Sequence, residues 1–444
     1  MSDGAAVSRP TLHWTGTCAE LTAADRCALF ERTAAIDVAV GERTASIVAR
    51  VRQEGDGALR ALAHELDGVD LDVLEVPRSR WQSALDALSP TLRAALERSA
   101  DNVGRVHRAF RPVAQETESE PGITVGRRPD PLGRVGVYAP GGRAAYPSSV
   151  LMGIVPARVA DVGEIVLCSP PSRDTGAPSD VVLAAAALAG ADRVFALGGA
   201  GAIAAMAYGT ASVPRVDRIV GPGNAYVAEA KLQVANVVAI DSPAGPSELL
   251  VVCDDSADAS LVAREMLAQA EHDPLAAVVA VTTTARMAQA IVDALAVQLP
   301  AQPRAEICRT ALEGQGAVLV AGSLDACVEF ANDYAAEHLL LAVEPLDDVL
   351  ARVRNAGTVF VGPSASVAFG DYMTGANHVL PTGGLARSYS GLSTLDFVRW
   401  TTYQRVTRDA AARLANDVGI FADAEGLPGH ASTARAWREG APVS

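Results

Sequence analysis

The sequence has few cationic side chains relative to its acidic ones, and this shortage excludes a class of partner. Its 37 Lys and Arg residues are outnumbered by 52 Asp and Glu residues, so the formal net charge at pH 7 is −15. Because the phosphates of a nucleic acid would be repelled by such a chain, nonspecific nucleic-acid binding is excluded as its main function. A small-molecule substrate is favoured instead.

Paired cysteines, a signal core and long apolar runs are also missing. The six cysteines are scattered and none forms a C-x-x-C pair, which is typical of a reducing compartment and gives no disulfide framework. The N-terminus has no apolar signal core, and no apolar run approaches the roughly 18 residues that cross a bilayer. We therefore expect a cytoplasmic enzyme with no membrane partner.

The pattern along the chain predicts helices first and parallel sheets afterwards. The chain has 444 residues, enough for two or three domains with sizeable cores. Residues 1–120 are rich in Ala, Leu, Arg and Glu with apolar residues three and four apart, which predicts helices. From about residue 130, short β-branched runs alternate with Ala-rich stretches. Strand, turn, helix and strand at this spacing predict parallel sheets covered on both faces.

A second series of β-branched runs begins at SELLVVCDD (247–255), after the loop SPAGPS (242–247), which we take as the crossing between two sheets. After Gly391 the chain is more polar and is predicted to be helical to its end. The predicted fold class is α/β, with two Rossmann-like parallel-sheet domains, a helical N-terminal region and a small helical C-terminal arm. We place the first α/β domain at 1–120 plus 248–391, an inserted Rossmann-like domain at 121–247, and the arm at 392–444.

Three glycine-rich turns follow predicted strands, at 139–149, 197–205 and 220–226. Ligands of open α/β sheets bind at the carboxyl ends of strands, where glycine lets the backbone approach a phosphate. The run GAGAIA (199–204) fits the dinucleotide pattern G-x-G-x-x-A, and the acidic Asp217 follows about twenty residues later. Small turns of this kind also serve packing alone, so they leave nucleotide binding open. The sequence contains no P-loop pattern.

Only seven histidines are present, and some lie beside other residues with metal-binding chemistry. Gln269 and His272 are three apart, so a helix would present an amide oxygen and an imidazole on one face. With a carboxylate and a second imidazole from elsewhere, they would make a mixed site for a divalent ion, with zinc as the first candidate. The same spacing is common on solvated helix faces. Near the C-terminus, His430 follows Glu425 by five residues.

A Glu-His dipeptide, Glu337-His338, stands just before an apolar strand. It offers two bases of different strength, which suits removal of a proton from a substrate and from water in separate steps. Asp371 and His378 share a loop with four glycines (369–384). An aspartate in such a loop is more often a turn residue or a helix cap, so each signal taken singly is ambiguous.

Taken together, six blocks closely resemble histidinol dehydrogenase, in family order and with family-like spacing, from roughly residue 20 to 435. The blocks are long and unusual, which argues against chance similarity. They are GRVGVYAPGGRAAYPSSVLM (133–152), VDRIVGPGNAYVAEAK (216–231), AIDSPAGPSELLVV (239–252), AQAEHDP (268–274), YAAEHL (334–339) and GDYMTGANHVLPT (370–382).

The resemblance implies a zinc- and NAD-dependent enzyme that oxidises L-histidinol, through L-histidinaldehyde, to L-histidine with two NAD molecules. It implies Glu337 and His338 as the acid/base pair, one zinc ion per subunit, and an intertwined homodimer that shares Glu425 and His430 between subunits. By matching motifs, the zinc ligands would be Gln269, His272, Asp371 and His430. The substrate contacts would be Ser247, Gln269, His272, His338, Asp371, Glu425 and His430, with His378 a further contact, and the nucleotide contacts Tyr138, Gly201 and Asn224.

One departure from the family affects the nucleotide side. Where the family usually has Gly-Gly-Ala-Gln, this chain ends the motif in Gly201, so a glutamine expected to contact NAD is missing. The formal G-x-G-x-x-A match exists only because of that replacement and is not an independent fingerprint. The zinc and base positions are not affected.

Two other functions remain as alternatives. A paralogous zinc- and NAD-dependent dehydrogenase of another polar alcohol would use the same scaffold, and the retention of Glu425 and His430 argues against it. A non-catalytic metal- or nucleotide-binding protein would be expected to lose Glu337 or His338, and both are present.

Overall fold

The computed structural model describes residues 11–32, 38–141, 145–243 and 245–439. Residues 142–144 of the first glycine-rich turn and Ala244 of the predicted crossing loop lie outside the described residues. The described residues up to Phe110 form one compact unit with Leu132–Phe397, and Arg111–Pro131 form a second with the residues from Val398 onward. Within these ranges, none of the helices combines the length and apolar character that a bilayer crossing needs.

Helices and strands alternate through most of the larger unit. The strands are β1 Trp14–Thr17, β2 Gln115–Glu120, β3 Ile123–Pro131, β4 Arg134–Tyr138, β5 Glu164–Ser169, β6 Arg193–Ala196, β7 Arg218–Val220, β8 Ala239–Ile240, β9 Glu248–Cys253, β10 Ala277–Thr282, β11 Gly316–Val320, β12 His338–Ala342, β13 Thr358–Val361 and β14 Val398–Val406. The α-helices are α1 Ala23–Phe30, α2 Val38–Glu54, α3 Asp56–Leu62, α4 Arg78–Asp86, α5 Pro90–Ala109, α6 Pro147–Val159, α7 Asp180–Ala189, α8 Gly199–Tyr208, α9 Ala225–Val234, α10 Ala259–Ala270, α11 Ala285–Gln298, α12 Ala305–Gln315, α13 Leu324–Tyr334, α14 Leu346–Leu350, α15 Val367–Tyr372, α16 Arg408–Ala424 and α17 Pro428–Arg435. Short 3-10 or π segments occupy Cys18–Glu20, Ala63–Asp67, Leu299–Ala301, Leu385–Arg387, Thr394–Phe397 and Ala436–Glu439.

The first sheet of the larger unit has six parallel strands in the order β1-β11-β10-β9-β12-β13. Strands β9, β10 and β12 are buried at every residue, as expected for aliphatic runs covered on both faces. One apolar cluster packs α10, α11 and α12 against the sheet, and a second packs α13 against it. Helices therefore cover both faces.

The second sheet has five parallel strands in the order β6-β5-β4-β7-β8. The Ala-rich helices α7 and α8 are buried along most of their length, because small side chains let a helix approach its neighbours closely. Two parallel sheets with covering helices confirm the predicted α/β class. The assignment of residues 121–247 to a separate inserted domain stays a prediction.

The smaller unit contains an antiparallel sheet of order β14-β3-β2, followed by α16 and α17. Residues 1–120 were predicted to be largely helical, and two strands interrupt that pattern at Trp14–Thr17 and Gln115–Glu120. The prediction of helix after Gly391 was wrong at Val398–Val406. Strand β14 pairs along its whole length with β3, which lies far earlier in the chain. Its conformation depends on that distant partner, although its β-branched and aromatic residues were a local signal.

Gly221 follows β7 and lies very close to the main chain at the end of the neighbouring strand β4. Its φ is +116°, and a Cβ there would overlap the carbonyl oxygen of Tyr138. We expect Gly221→Ala to lose about 3 kcal/mol or more of unfolding free energy, from backbone strain and overpacking. The matched control is Gly314→Ala in α12, where a Cβ meets nothing within 4 Å and about 0.5–1 kcal/mol is gained. Urea unfolding measures both, and an unchanged midpoint for Gly221→Ala would contradict the close approach.

Candidate active site

The predicted acid/base residues lie at the amino ends of strands in the six-stranded sheet. His338 is the first residue of β12 and pairs with Leu249 and Thr358 on the neighbouring strands. Glu337 precedes it, and Ser247 directly precedes β9. Helices α10 and α13 end at the same edge because each leads into a strand that starts there. This edge is opposite to the carboxyl edge at which glycine-rich turns collect.

His338 is buried, and its two ring nitrogens have different surroundings. Nδ1 lies 2.9 Å from the carbonyl oxygen of Glu248, which can only accept, so Nδ1 carries the proton. Nδ1 also lies 3.4 Å from Oε2 of Glu337. Nε2 has no hydrogen-bond partner in the described part of the chain and lies 3.8 Å from Oδ1 of Asp371. The ring is therefore fixed through Nδ1, while Nε2 is available to a substrate group.

Two carboxylates determine the charge of His338. Burial is the largest single influence and lowers its pKa, but Glu337, Asp371 and the bond to Glu248 together outweigh burial and raise the pKa of His338 to about 9. The imidazole therefore keeps its second proton at neutral pH while both carboxylates face it. A cation that neutralised Asp371 would remove one of these influences and lower the pKa of His338.

Asp371 and His378 extend the cluster around His338. The main-chain carbonyl of Asp371 accepts the Nδ1–H of His378 at 3.0 Å, and Nε2 of His378 lies 3.5 Å from Oγ of Ser149. Burial lowers the pKa of His378, so its imidazole is neutral and Nε2 accepts from the Ser149 hydroxyl. His338, Asp371 and His378 line a cavity of about 10 Å³, close to the size of one water molecule.

Gln269 lies in the last turn of α10, but the helix ends at Ala270, so His272 lies just beyond it and not on the helix as the spacing predicted. The main-chain N–H of His272 donates to the carbonyl oxygen of Gln269 at 3.2 Å, in a tighter turn than an α-helix has. Gln269 is buried and His272 is exposed. Helix α15 begins beside α10, because the N–H of Val367 donates to Oε2 of Glu265 at 3.0 Å. The helix that carries Asp371 is thus attached to the helix that presents Gln269 and His272.

An amide oxygen, an imidazole and a carboxylate, from Gln269, His272 and Asp371, make a donor set that zinc accepts. Within the described ranges, no group of three or more His, Cys, Asp and Glu side chains could hold a metal ion. Of the predicted ligands, the larger unit supplies two side chains of these four types, His272 and Asp371, besides the amide of Gln269. The fourth predicted ligand, His430, belongs to the smaller unit. There, His430 lies in the first turn of α17 and Glu425 directly follows α16, both exposed.

The predicted nucleotide contacts lie at the carboxyl edge of the five-stranded sheet. Tyr138 ends β4, and its hydroxyl accepts the main-chain N–H of Gly199 at 3.0 Å. Asn224 caps α9, where its side-chain oxygen accepts two main-chain N–H groups of the first turn. Tyr138, Gly201 and Asn224 line one cleft of about 290 Å³. The structure therefore brings these three residues together.

Gly201, at the position where the resemblance implies a glutamine, lies against α3. A Cβ at Gly201 would lie 3.2 Å from Cδ1 of Leu62 and 3.7 Å from Cδ2 of Leu59. Both leucines line the cleft. The wall of the cleft is therefore apolar at the place where a longer polar side chain is missing.

Asp217 is the acidic residue that the formal dinucleotide pattern would require, and that interpretation was wrong. Asp217 precedes β7, and its Oδ2 accepts the main-chain N–H of Arg134 at 2.8 Å, at the first residue of β4. It lies at the amino edge of the five-stranded sheet, whereas the cleft lies at the carboxyl edge. A nucleotide ribose in the cleft is out of its reach.

A buried ion pair supports the loop that presents Asn224. Lys231 is 1% exposed, pairs with Asp241, and donates to the carbonyl oxygen of Gly221 at 3.2 Å. Oδ2 of Asp241 accepts the N–H of Gly221 at 2.7 Å. Both charges therefore converge on one residue of the loop. The pair was not predicted, although Lys231 is the sole lysine among 37 Lys and Arg residues, a signal available in the sequence.

The chain is similar to known proteins over most of its length. Residues 31–438 match the family model described as histidinol dehydrogenase. A histidinol dehydrogenase of Methanosarcina mazei is 46% identical over 387 residues, which cover 87% of this chain and 89% of that protein. One of Natronomonas pharaonis is 49% identical over 416 residues, covering 94% and 97%. A crystal structure of histidinol dehydrogenase from Elizabethkingia anophelis superposes with a TM-score of 0.91 at 32% identity, covering 97% of this chain and 99% of that one.

The Lys231–Asp241 pair is expected to be costly to break. Lys231→Met leaves Asp241 charged, buried and unpaired, so we expect a loss of about 3–5 kcal/mol in the free energy of unfolding. The control is Arg93→Met, which breaks an exposed ion pair with Glu97 at 2.9 Å and should change stability by less than about 1 kcal/mol. Chemical denaturation compares the two variants. Equal effects would show that burial of Lys231 carries no special cost.

Proposed function

The chain belongs to the histidinol dehydrogenase family, and on that premise we propose that Glu337 and His338 perform its proton transfers. The activity is the four-electron oxidation of L-histidinol, through L-histidinaldehyde, to L-histidine, in the last steps of histidine biosynthesis. One observation carries the assignment to these residues. Nδ1 of His338 is held by the Glu248 carbonyl, while Nε2 has no hydrogen-bond partner among the described residues and lies 3.8 Å from Oδ1 of Asp371. None of the relatives reported above favours a dehydrogenase of another alcohol.

We propose one zinc ion per subunit, held by Gln269, His272, Asp371 and His430 of the partner subunit. The mixed nitrogen and oxygen donors of this set support zinc, and so does the attachment of the Asp371 helix to α10. When bound, the ion would orient the amine and imidazole nitrogens of L-histidinol and neutralise part of the charge on Asp371. The same ligand residues would therefore also define the substrate position.

We propose NAD as the hydride acceptor, bound in the cleft lined by Tyr138, Gly201 and Asn224. Two NAD molecules in turn would accept one hydride each. The Tyr138 hydroxyl already accepts a hydrogen bond from Gly199, so it would donate its proton to the nucleotide. The apolar wall at Leu62 would replace the hydrogen bonds of the missing glutamine with packing.

The two bases would act in sequence. In its neutral form, which a cation bound at Asp371 would favour, His338 would accept the hydroxyl proton of L-histidinol at Nε2, because Nδ1 is already committed to Glu248. Glu337 would then take a proton from the water that attacks the aldehyde carbon, and the resulting hydrate loses the second hydride. Both residues are less than 7% exposed, which keeps bulk water from the aldehyde. Ser247, at the same sheet edge, would contact the substrate, and so would His378.

We propose that the active form is an intertwined homodimer in which Glu425 and His430 serve the partner's site. The smaller unit exposes several large apolar side chains, which supports burial against a second copy. They are Val418, Ile420, Phe421, Leu427 and Trp437, with exposed fractions between 42% and 71%.

We also propose a cytoplasmic location and no nucleic-acid partner. All six cysteines are free, and four of them are buried, as expected of a protein kept in a reducing compartment. The net charge of −15 argues against binding to phosphate backbones.

Turnover and zinc content, measured together, should distinguish the roles of the two bases from those of the metal ligands. The wild-type protein with zinc should form two NADH per L-histidinol. We expect His338→Asn to lower kcat by about 10²–10⁴-fold, and Glu337→Gln to lower histidine formation more than the first oxidation. Zinc content, measured by elemental analysis, should stay unchanged in both variants, whereas His272→Ala should lose the metal. Normal turnover by His338→Asn, or NADH from a different alcohol only, would contradict the assignment.

A mixed dimer tests whether the partner supplies His430. His338→Asn and His430→Asn homodimers should both be inactive. A heterodimer of the two variants keeps one site with an intact His338 from one subunit and an intact His430 from the other, so co-expression should restore NADH formation. Failure of the heterodimer to turn over, with both subunits present by mass spectrometry, would place His430 in its own subunit's site.

A further inference from the structure

A buried ion pair between Arg32 and Glu248 lies directly behind the proposed acid/base residues. The two side chains are only 3% and 2% exposed. Nε of Arg32 lies 3.1 Å from Oε1 of Glu248, and Nη2 donates to Oε2 at 3.1 Å. Nη2 also donates to the carbonyl oxygen of Tyr334 at 2.7 Å, and the guanidinium lies 3.5 Å from the centre of the Tyr334 ring. The position of Arg32 is thus determined by a charge, a carbonyl and an aromatic face.

Glu248 contacts both proposed bases through three different groups. Its main-chain N–H donates to Oε2 of Glu337 at 2.7 Å. Its carbonyl oxygen accepts the Nδ1–H of His338 at 2.9 Å. Its carboxylate Oε2 accepts the main-chain N–H of Glu337 at 3.4 Å. One residue therefore sets both the place of the Glu337 carboxylate and the rotation of the His338 ring.

The charge of Arg32 also matters, because Glu248 and Glu337 are neighbouring buried carboxylates. Burial raises the pKa of Glu248 and Glu337 raises it further, while Arg32 and the N–H of Gly383, which donates to Oε1 at 2.6 Å, lower it. Without Arg32, the carboxylate of Glu248 would be buried close to Glu337 with no cationic partner. With Arg32 in place, the guanidinium balances the charge of the Glu248 carboxylate. The carboxylates that face His338 are then those of Glu337 and Asp371.

We propose that Arg32 and Glu248 are positioning residues, which orient Glu337 and His338 through the hydrogen bonds of Glu248. This inference rests on the proposed function of Glu337 and His338. A buried ion pair is a weak source of stability, because the loss of hydration offsets much of the attraction between its charges. The pair would instead contribute by orienting the two reacting side chains. This matters because small displacements of catalytic groups reduce rates strongly.

The test compares Arg32→Met with a control that loses stability without touching the network. Val349→Ala opens a cavity in the apolar cluster that contains Tyr334, and its side chain makes no polar contact. We expect kcat of Arg32→Met to fall by about tenfold or more, with KM for L-histidinol within about threefold and zinc content unchanged. Val349→Ala should lower the melting temperature with kcat within about twofold of wild type. Equal kcat in the two variants would overturn the proposal.

A second variant keeps the test decisive if Arg32→Met does not fold. Arg32→Lys keeps the positive charge but cannot bind both carboxylate oxygens and the Tyr334 carbonyl in one planar fork. If both variants fold, we expect the kcat of Arg32→Lys to lie between those of wild type and Arg32→Met. If only Arg32→Lys folds, we expect its kcat to be several-fold below that of wild type. Wild-type kcat in Arg32→Lys and in Glu248→Gln together would overturn the proposal.

A spectroscopic readout separates this proposal from the proposed function. In ¹⁵N-histidine-labelled protein without substrate or NAD, the Nδ1–H signal of His338, assigned by its loss in His338→Asn, should exchange slowly. We expect this signal to be lost or shifted in Arg32→Met and Glu248→Gln, and unchanged in Val349→Ala. An unchanged signal in Arg32→Met would refute positioning, whatever the substrate. If the wild-type protein oxidised no L-histidinol, the proposed function would be refuted. The spectroscopic result would still show whether Arg32 and Glu248 position His338.

Discussion

The parallel pairing of β9 with β12 is the constraint on which the candidate site depends. In this register His338 is opposite Leu249, so Glu248 comes beside Glu337 and His338 at the start of both strands. Side chains alternate between the two faces of a sheet, so a slip of one residue would turn the imidazole to the other face and separate it from Asp371. The hydrogen bonds of the Glu248 peptide to both bases require this register.

The two sheets of the larger unit use opposite edges, and helix α6 connects them. It begins after β4, at the carboxyl edge where the cleft proposed for the nucleotide lies, and its Ser149 contacts His378 from the loop beside Asp371. The side-chain amide of Asn377 also donates to the carbonyl oxygen of Met152 at 2.8 Å. These two contacts join α6 to the loop that carries Asn377 and His378.

Each sheet carries one buried ion pair at the edge that it uses. Lys231 and Asp241 converge on the loop before Asn224, and Arg32 and Glu248 converge on the two bases. In both pairs the carboxylate also accepts a main-chain N–H, so each pair fixes the position of a main-chain segment as well as its own two side chains. Such pairs give modest net stability. Arg32 and Glu248 are 216 residues apart, so no local pattern could have paired them, whereas Lys231 and Asp241 are ten residues apart and the isolation of the sole lysine was visible.

The sequence by itself determined the α/β class, the chemical character of the candidate residues and the place of His338 at the start of a strand, because hydrophobic periodicity and residue chemistry are local properties. It did not determine that Asp371, predicted to lie in a loop, belongs to helix α15. Tertiary structure alone decided that β14 pairs with β3, that Asp217 lies at the sheet edge opposite the cleft, that Nδ1 of His338 carries a proton, and that Arg32 pairs with Glu248. These properties depend on strand register and on distances between charges in a buried region, where each group responds to neighbours that are remote along the chain.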